Sequence, residues 1–199
     1  MNNLSIIQAK GKEIFGEHFQ ILPEDVEVVQ KLYTWFLNDE QQAIQLGINL
    51  KKGILLSGPI GCGKTTLIKL MREIMQPQQK FGIKSCRDIT FEFHKEGYET
   101  ILRYSNLAFE RHTQRPYTTC FDDLGAESTL KYYGNECNVM GEILLSRYDL
   151  FISHHMITHA TTNLSATELE SYYGNRVRSR MREMFNLIAF NPNSLDKRL

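Results

Sequence analysis

The residues Gly58-Pro59-Ile60-Gly61-Cys62-Gly63-Lys64-Thr65 match the spacing G-x-x-x-x-G-K-[ST] in full. Glycines at these places let the backbone curl until its N–H groups converge on one anion, and a helix starting at the end of the loop adds its dipole. The chemistry this predicts is a phosphate cradle running from Gly58 to Thr66. Lys64 would reach the two outer phosphates, and the Thr65 hydroxyl would ligate Mg2+. Cys62 reads as a small tolerated side chain, whose place at a dipole end is expected to lower its thiol pKa.

A second constellation is Asp122-Asp123, directly after the run Tyr117 to Phe121. An acid there can hold a magnesium ion while its neighbour polarises water, so Asp122 is the candidate for the metal and Asp123 for the water. A solvated turn is the alternative. Two adjacent carboxylates repel a triphosphate unless a cation is present, so the charges themselves imply Mg2+. Asn163, after Ile157 to Thr162, both donates and accepts, which suits it to hold a water between Asp123 and a phosphate. Read alone, an asparagine at a strand end is more often a turn residue.

Four arginines, Arg176, Arg178, Arg180 and Arg182, fall within seven residues, and on a helix Arg176 and Arg180 share a face. A solvated basic face, guanidiniums aimed at a neighbouring subunit's phosphates, and contact with nucleic-acid phosphates all fit that pattern. Phe91, Phe93, Tyr98, Tyr132 and Tyr133 are either core or surfaces on which bases stack. His94, His154, His155 and His159 show no ligand spacing.

These groups need elements to position them. Pro23-Glu24-Asp25 predicts a helix start whose helix buries Val29, Leu32, Tyr33 and Phe36. Ile54 to Ser57 predicts a buried strand running into the glycine loop, and Leu67, Leu70, Met71 and Ile74 recur at helical spacing after it. Tyr117 to Phe121 and Ile157 to Thr162 predict further strands, with Leu187 to Phe190 as a last one. Val139, Ile143 and Leu144 mark a helix through about Tyr148, and Ser165 with Glu168 predicts a capped helix. Strands alternating with helices imply an α/β fold with a mostly parallel sheet, whose ligands gather at the carboxyl ends of strands.

The 199 residues and 42% hydrophobic content suit one structural domain, with a helical segment 1–52 packed on a core 53–199. Lys+Arg 23 against Asp+Glu 23 excludes a protein that coats nucleic acid by bulk charge. The four cysteines are scattered, with no C-x-x-C or His/Cys cluster, which argues against a disulfide scaffold or zinc site. No signal sequence or membrane span is visible, so a cytoplasmic, membrane-free protein is expected.

The runs Asp122-Asp123-Leu124-Gly125-Ala126-Glu127, Tyr133-Gly134-Asn135, Leu145-Ser146-Arg147-Tyr148, Thr161-Thr162-Asn163-Leu164 and Tyr173-Gly174-Asn175-Arg176 through Asn186 resemble the AAA+ ATPases of the DnaC-type helicase loaders. The related IstB-type transposition helpers share much of the pattern. The resemblance covers most of the chain from Gly53 onward. It implies a three-layer P-loop fold with a five-stranded parallel sheet and little or no separate lid domain, with the strand bearing Asp122 beside one leading to Asn163. It also implies an ATP site completed by a second protomer. By position Asn163 matches the sensor-1 residue, Arg180 the arginine finger acting in trans, Arg176 a supporting arginine, and Arg198 a displaced sensor-2 residue.

The expected activity is slow, partner-stimulated ATP hydrolysis serving DNA replication, with single-stranded DNA, a homo-oligomer and a replicative helicase as partners. A helper of a transposase is the alternative. With only 57 residues before Gly58, the longer helicase-gripping extension of the loaders is not expected among them. A small-molecule kinase would need an arginine-bearing lid, and between Asp123 and Asn163 the sequence offers only Arg147.

Overall fold

The computed structural model describes residues 3–76, 79–127, 130–132 and 135–198, with side chains for all of these except 130–132 and 135–136. Tyr133 and Gly134 lie outside the described residues, as does the side chain of Tyr132. Two compact units divide the chain, one of Met1–Leu50, Leu56–Lys80 and Ile188–Leu199, the other of Lys51–Leu55 and Phe81–Leu187.

In the first unit, α1 (Asn3–Phe15) leads to a return segment that it holds by side-chain contacts. The Gln8 amide donates to the Phe19 carbonyl at 2.6 Å and accepts from the Ile21 N–H at 2.8 Å. Gly11 lets the Phe19 ring close on the helix, because a Cβ there would stand 2.1 Å from it. Pro23 starts a 3-10 turn, Pro23–Asp25, which feeds α2 (Val26–Phe36). That helix buries Val29, Leu32, Tyr33 and Phe36, as its apolar spacing predicts. Then α3 (Glu40–Leu46) is capped by Asp39, whose carboxylate accepts the Gln42 N–H at 3.0 Å. Finally α4 (Lys64–Ile74) turns Leu67, Leu70 and Met71 inward.

Five strands, β1 (Gly53–Ser57), β2 (Gly82–Ser85), β3 (Thr119–Leu124), β6 (Thr158–Thr162) and β7 (Phe185–Ala189), form a parallel sheet in the order β2-β3-β6-β1-β7. A short antiparallel pair, β4 (Leu130–Tyr132) and β5 (Asn135–Cys137), lies outside it. The expected α/β class, the five parallel strands and the adjacency of the Asp122 strand to the one leading to Asn163 are all present. Strand β2 carries little signal of its own, since Gly82-Ile83-Lys84-Ser85 contains one large apolar residue and forms an edge of the sheet.

Around this sheet the second unit carries α5 (Cys86–Glu96), α6 (Tyr98–Tyr104), α7 (Val139–His154) and α8 (Ala166–Met184). Its core joins Phe93, Phe121, Met140, Ile143, Leu169 and Met181. Helix α7 continues past Tyr148, the expected end, because Phe151 still packs on that core and the chain turns only at His155, with φ 54. Helix α8 opens with the predicted capping box: Ser165 accepts the Glu168 N–H, and the Glu168 carboxylate accepts the Ser165 N–H. It is broken at Gly174, with φ 81 and ψ 162.

Candidate functional site

The phosphate loop belongs to the first unit. Gly61 and Gly63 adopt φ of 83° and 99°, the left-handed region that a side chain resists, and this is what curls the loop. Gly58 is required for a different reason: a Cβ there would meet the Phe190 side chain at 2.7 Å. Lys64 is buried, and its ammonium donates to the Gly58 and Pro59 carbonyls at 2.8 Å each. Ile60 is exposed, while Thr65 and Thr66 are half-buried in the first turn of α4. The expected lowering of the Cys62 pKa is not found. Burial pushes the thiol up and outweighs the nearby Lys64, because a thiolate at this position would lose most of its hydration.

Beside the loop lies a cavity of about 430 Å³, with Phe15, Phe19, Leu22, Thr66 and Leu67 among its walls. Lys197, which the sequence analysis passed over, also lines it. Its backbone N–H donates to the Gly61 carbonyl at 3.0 Å. Its ammonium donates to the Cys62 carbonyl at 2.8 Å and to the buried Asp25 carboxylate. Arg198, one residue on, is exposed and turns its backbone N–H to Asp196 at 2.9 Å. Of these two residues, Lys197 is the one with hydrogen bonds to the phosphate loop.

The acids belong to the second unit. Strand β3 begins two residues later than expected and contains Asp122 and Asp123 instead of ending before them. Its pairing with β6 slips between Phe121 and Leu124, and Asp123 takes φ 63. Such a bulge re-aims side chains at the end of a strand. Thr161 of β6 stabilises it, its hydroxyl accepting the Asp123 N–H at 2.8 Å and donating to the Asp122 carboxylate at 2.7 Å. Asn163 completes the group, its amide donating to Asp123 Oδ1 at 2.5 Å. Asp123 and Asn163 thus meet directly, and Asp122 is joined to them through Thr161, an organising hydroxyl that sequence reasoning did not single out.

Arg176 and Arg180 lie one turn apart on α8, beyond the break at Gly174. Arg176 is exposed, whereas Arg180 rests on the Tyr148 ring at 4.8 Å, and the Tyr148 hydroxyl donates to Glu183 at 2.9 Å. Arg147 is fully buried. It donates to Thr158 Oγ1 at 2.7 Å and to the carbonyls of Tyr104, Tyr117 and Ile157 at 2.9, 3.0 and 2.9 Å. Burial draws its pKa down to about 9. His159 is likewise buried, accepts the Ile54 N–H at 3.1 Å, and is held to a pKa of about 3 by burial and the charge of Arg147.

Phe93 is core, while Phe91 and Tyr98 are each 59% exposed. The Arg87 guanidinium stands 5.4 Å from the centre of the Phe91 ring, and Lys95 is exposed one turn on. No helix among the described residues is long and apolar enough to cross a membrane.

No protein-family model matches the chain. Cell division control protein 48 homolog B of Arabidopsis thaliana is 30% identical over 120 residues, which is 59% of this chain but only 19% of that protein. The chain thus spans about a fifth of the length of this curated relative. Among solved structures, the DnaC helicase loader is 16% identical with a TM-score of 0.59, over 88% of this chain and 95% of that one. A putative primosome component from Streptococcus pyogenes serotype M3 is 16% identical with a TM-score of 0.58, over 98% and 100%. AMPPCP-bound DnaA from Aquifex aeolicus is 18% identical with a TM-score of 0.51, over 87% and 48%. The chain shares the fold of these proteins, an α/β arrangement around a five-stranded parallel sheet.

Proposed function

We propose that the chain binds ATP with Mg2+ at its phosphate loop and hydrolyses it slowly, as a DnaC-like switch in DNA replication. The observation that carries this reading is the Asp123–Asn163 hydrogen bond at the bulged end of β3, in a chain whose phosphate loop is complete. A carboxylate paired with an amide can hold a water and take its proton. Lys64 would exchange the Gly58 and Pro59 carbonyls for phosphate oxygens. The apolar and aromatic walls of the neighbouring cavity suit a nucleobase, and its volume lies in the usual range for a ligand of that size.

The Asp122 carboxylate would hold the metal: it is a hard oxygen donor, the kind that Mg2+ prefers, and Thr161 fixes one of its oxygens. When bound, the ion would neutralise charge on the outer phosphates. Arg176 and Arg180 would serve the nucleotide of a second copy, Arg180 by leaving Tyr148. Single-stranded DNA is the proposed effector, supported by Arg87, Phe91 and Lys95, exposed at one-turn spacing on α5, and by the exposed Tyr98 that opens α6, which supply cations and stacking surfaces. A lid-bearing kinase is disfavoured because Arg147 is locked in the core.

The test is phosphate release with and without single-stranded DNA, alongside sizing of the protein in ATP and in ADP. Expected are slow turnover, stimulation by DNA that is lost when Phe91 and Tyr98 become alanine, and a larger species in ATP. Turnover and size that ignore both DNA and nucleotide would refute the reading.

A further inference from the structure

Glu127 lies four residues past Asp123, and its carboxylate is buried, which pushes its pKa up. Burying a carboxylate is costly, so its contacts call for an explanation. One oxygen accepts the Gly125 N–H at 2.9 Å, and the other accepts the Tyr173 hydroxyl. The Glu127 backbone carbonyl accepts the hydroxyl of Tyr172. Gly125, at φ 94, is pressed so closely on Leu164 that a Cβ would stand 2.3 Å from that side chain. The turn after Asp123 is therefore wedged against the residue next to Asn163 on one side and tied to α8 on the other.

Its attachment on α8 falls at a mechanically special place. Tyr172 and Tyr173 are the last residues before Gly174, where the helix breaks. A Cβ at Gly174 would meet nothing within 4 Å, so this glycine serves backbone conformation and not close packing. Beyond it the helix carries Arg176 and Arg180. Arg180 is held to the body by its stacking on Tyr148, a contact that can exchange.

We infer that Glu127 is a positioning residue that ties the turn following Asp123 to the pose of the arginine-bearing half of α8. A shift of Asp123 on nucleotide engagement is delivered through Glu127 and the two tyrosines to Arg176 and Arg180, with Gly174 as the pivot. Energetic coupling of this kind needs a chain of connected groups; here the turn is joined to Tyr172 and Tyr173 by hydrogen bonds, and the backbone carries the link on each side. The inference rests on the ATPase reading above and adds how one protomer's acid strand governs the arginines it offers to the next.

The test combines steady-state phosphate release with hydrogen exchange of peptides covering 175–184, with and without ATP and Mg2+, for wild type, Tyr173→Phe, Glu127→Gln and Glu127→Ala. In wild type, nucleotide is expected to change exchange in 175–184. Tyr173→Phe should abolish most of that change and lower kcat by about 3- to 30-fold, with KM within about twofold. Glu127→Gln keeps an acceptor for Tyr173 and should recover most of what Glu127→Ala loses. If Glu127→Ala fails to fold, Tyr173→Phe carries the comparison, since it removes one hydroxyl. Variants that merely melt earlier, with kcat and nucleotide-dependent exchange intact, overturn the coupling alone. Wild-type protein that neither binds nor hydrolyses ATP overturns the ATPase reading instead.

Discussion

The Lys197 ammonium is bonded to the carboxylate of Asp25, 172 residues away in the chain, and the same ammonium holds the Cys62 carbonyl of the phosphate loop. The Asp25 side chain is 4% exposed, so removing its partner strands a buried charge. Lys197→Met should cost about 3 kcal/mol, the usual scale for breaking a buried pair from one side. The double variant Asp25→Asn/Lys197→Met should regain part of that loss. Urea unfolding of the singles and the double tests this, and strictly additive losses would show that the two groups are not coupled.

Asp123 and Asn163 are expected to act on turnover and not on binding. Asp123→Asn should lower phosphate release by about 100-fold or more, the scale of a lost general base, while affinity for a fluorescent ATP analogue stays close to wild type. Asn163→Ala should follow the same pattern more mildly. Unchanged turnover in Asp123→Asn would remove this acid from the mechanism.

Arg147 makes a separate prediction, about stability. Its replacement by methionine keeps the bulk but leaves three carbonyls and the Thr158 hydroxyl without their donor. A loss of about 4 kcal/mol is expected, since each unsatisfied buried group costs on the order of 1–3 kcal/mol and the terms overlap. Arg147→Lys should recover less than half, because an ammonium cannot reach four acceptors spread around a planar guanidinium. A chemical unfolding midpoint near wild type in either variant would contradict this.

His159 predicts the acid limb of the stability curve. Folded, it is held neutral with a pKa of about 3, against 6.5 for the free side chain. Below pH 6.5 the unfolded chain takes up a proton that the folded chain refuses, so this contribution is whole above pH 6.5 and is lost as pH falls toward 3. The slope approaches about 1.4 kcal/mol per pH unit. His159→Asn retains an acceptor for the Ile54 N–H and should flatten the decline between pH 6 and 4, read by thermal melts in matched buffers. Parallel curves for the two proteins would dismiss His159 as a source of acid sensitivity.

The features legible in the chain are those written within a few residues. The proline-started helix and the Ser165–Glu168 capping box each depend on contacts closed inside one or two turns, so spacing alone determines them. The approximate strands and their mostly parallel arrangement are readable too, because alternating strands and helices leave few sheet topologies open, whereas the adjacency of the Asp122 strand to the one leading to Asn163 is implied only by the family resemblance. Edge strand β2 was not, since a half-exposed strand of four mixed residues has no periodicity of its own.

Tertiary structure alone decided what each polar residue faces. Arg147, the one arginine the sequence offered for a lid, is a core residue because four acceptors from distant segments converge on it. Thr161 became the organiser of the acids through a bulge that only the pairing of β3 with β6 creates. Lys197 reaches the phosphate loop at Gly61 and Cys62, and the buried Glu127 carboxylate accepts a tyrosine hydroxyl from α8. Residue type tells what a side chain can bond to. Which partner it meets depends on strand register and on how segments far apart in the chain are brought together, and no local spacing records that.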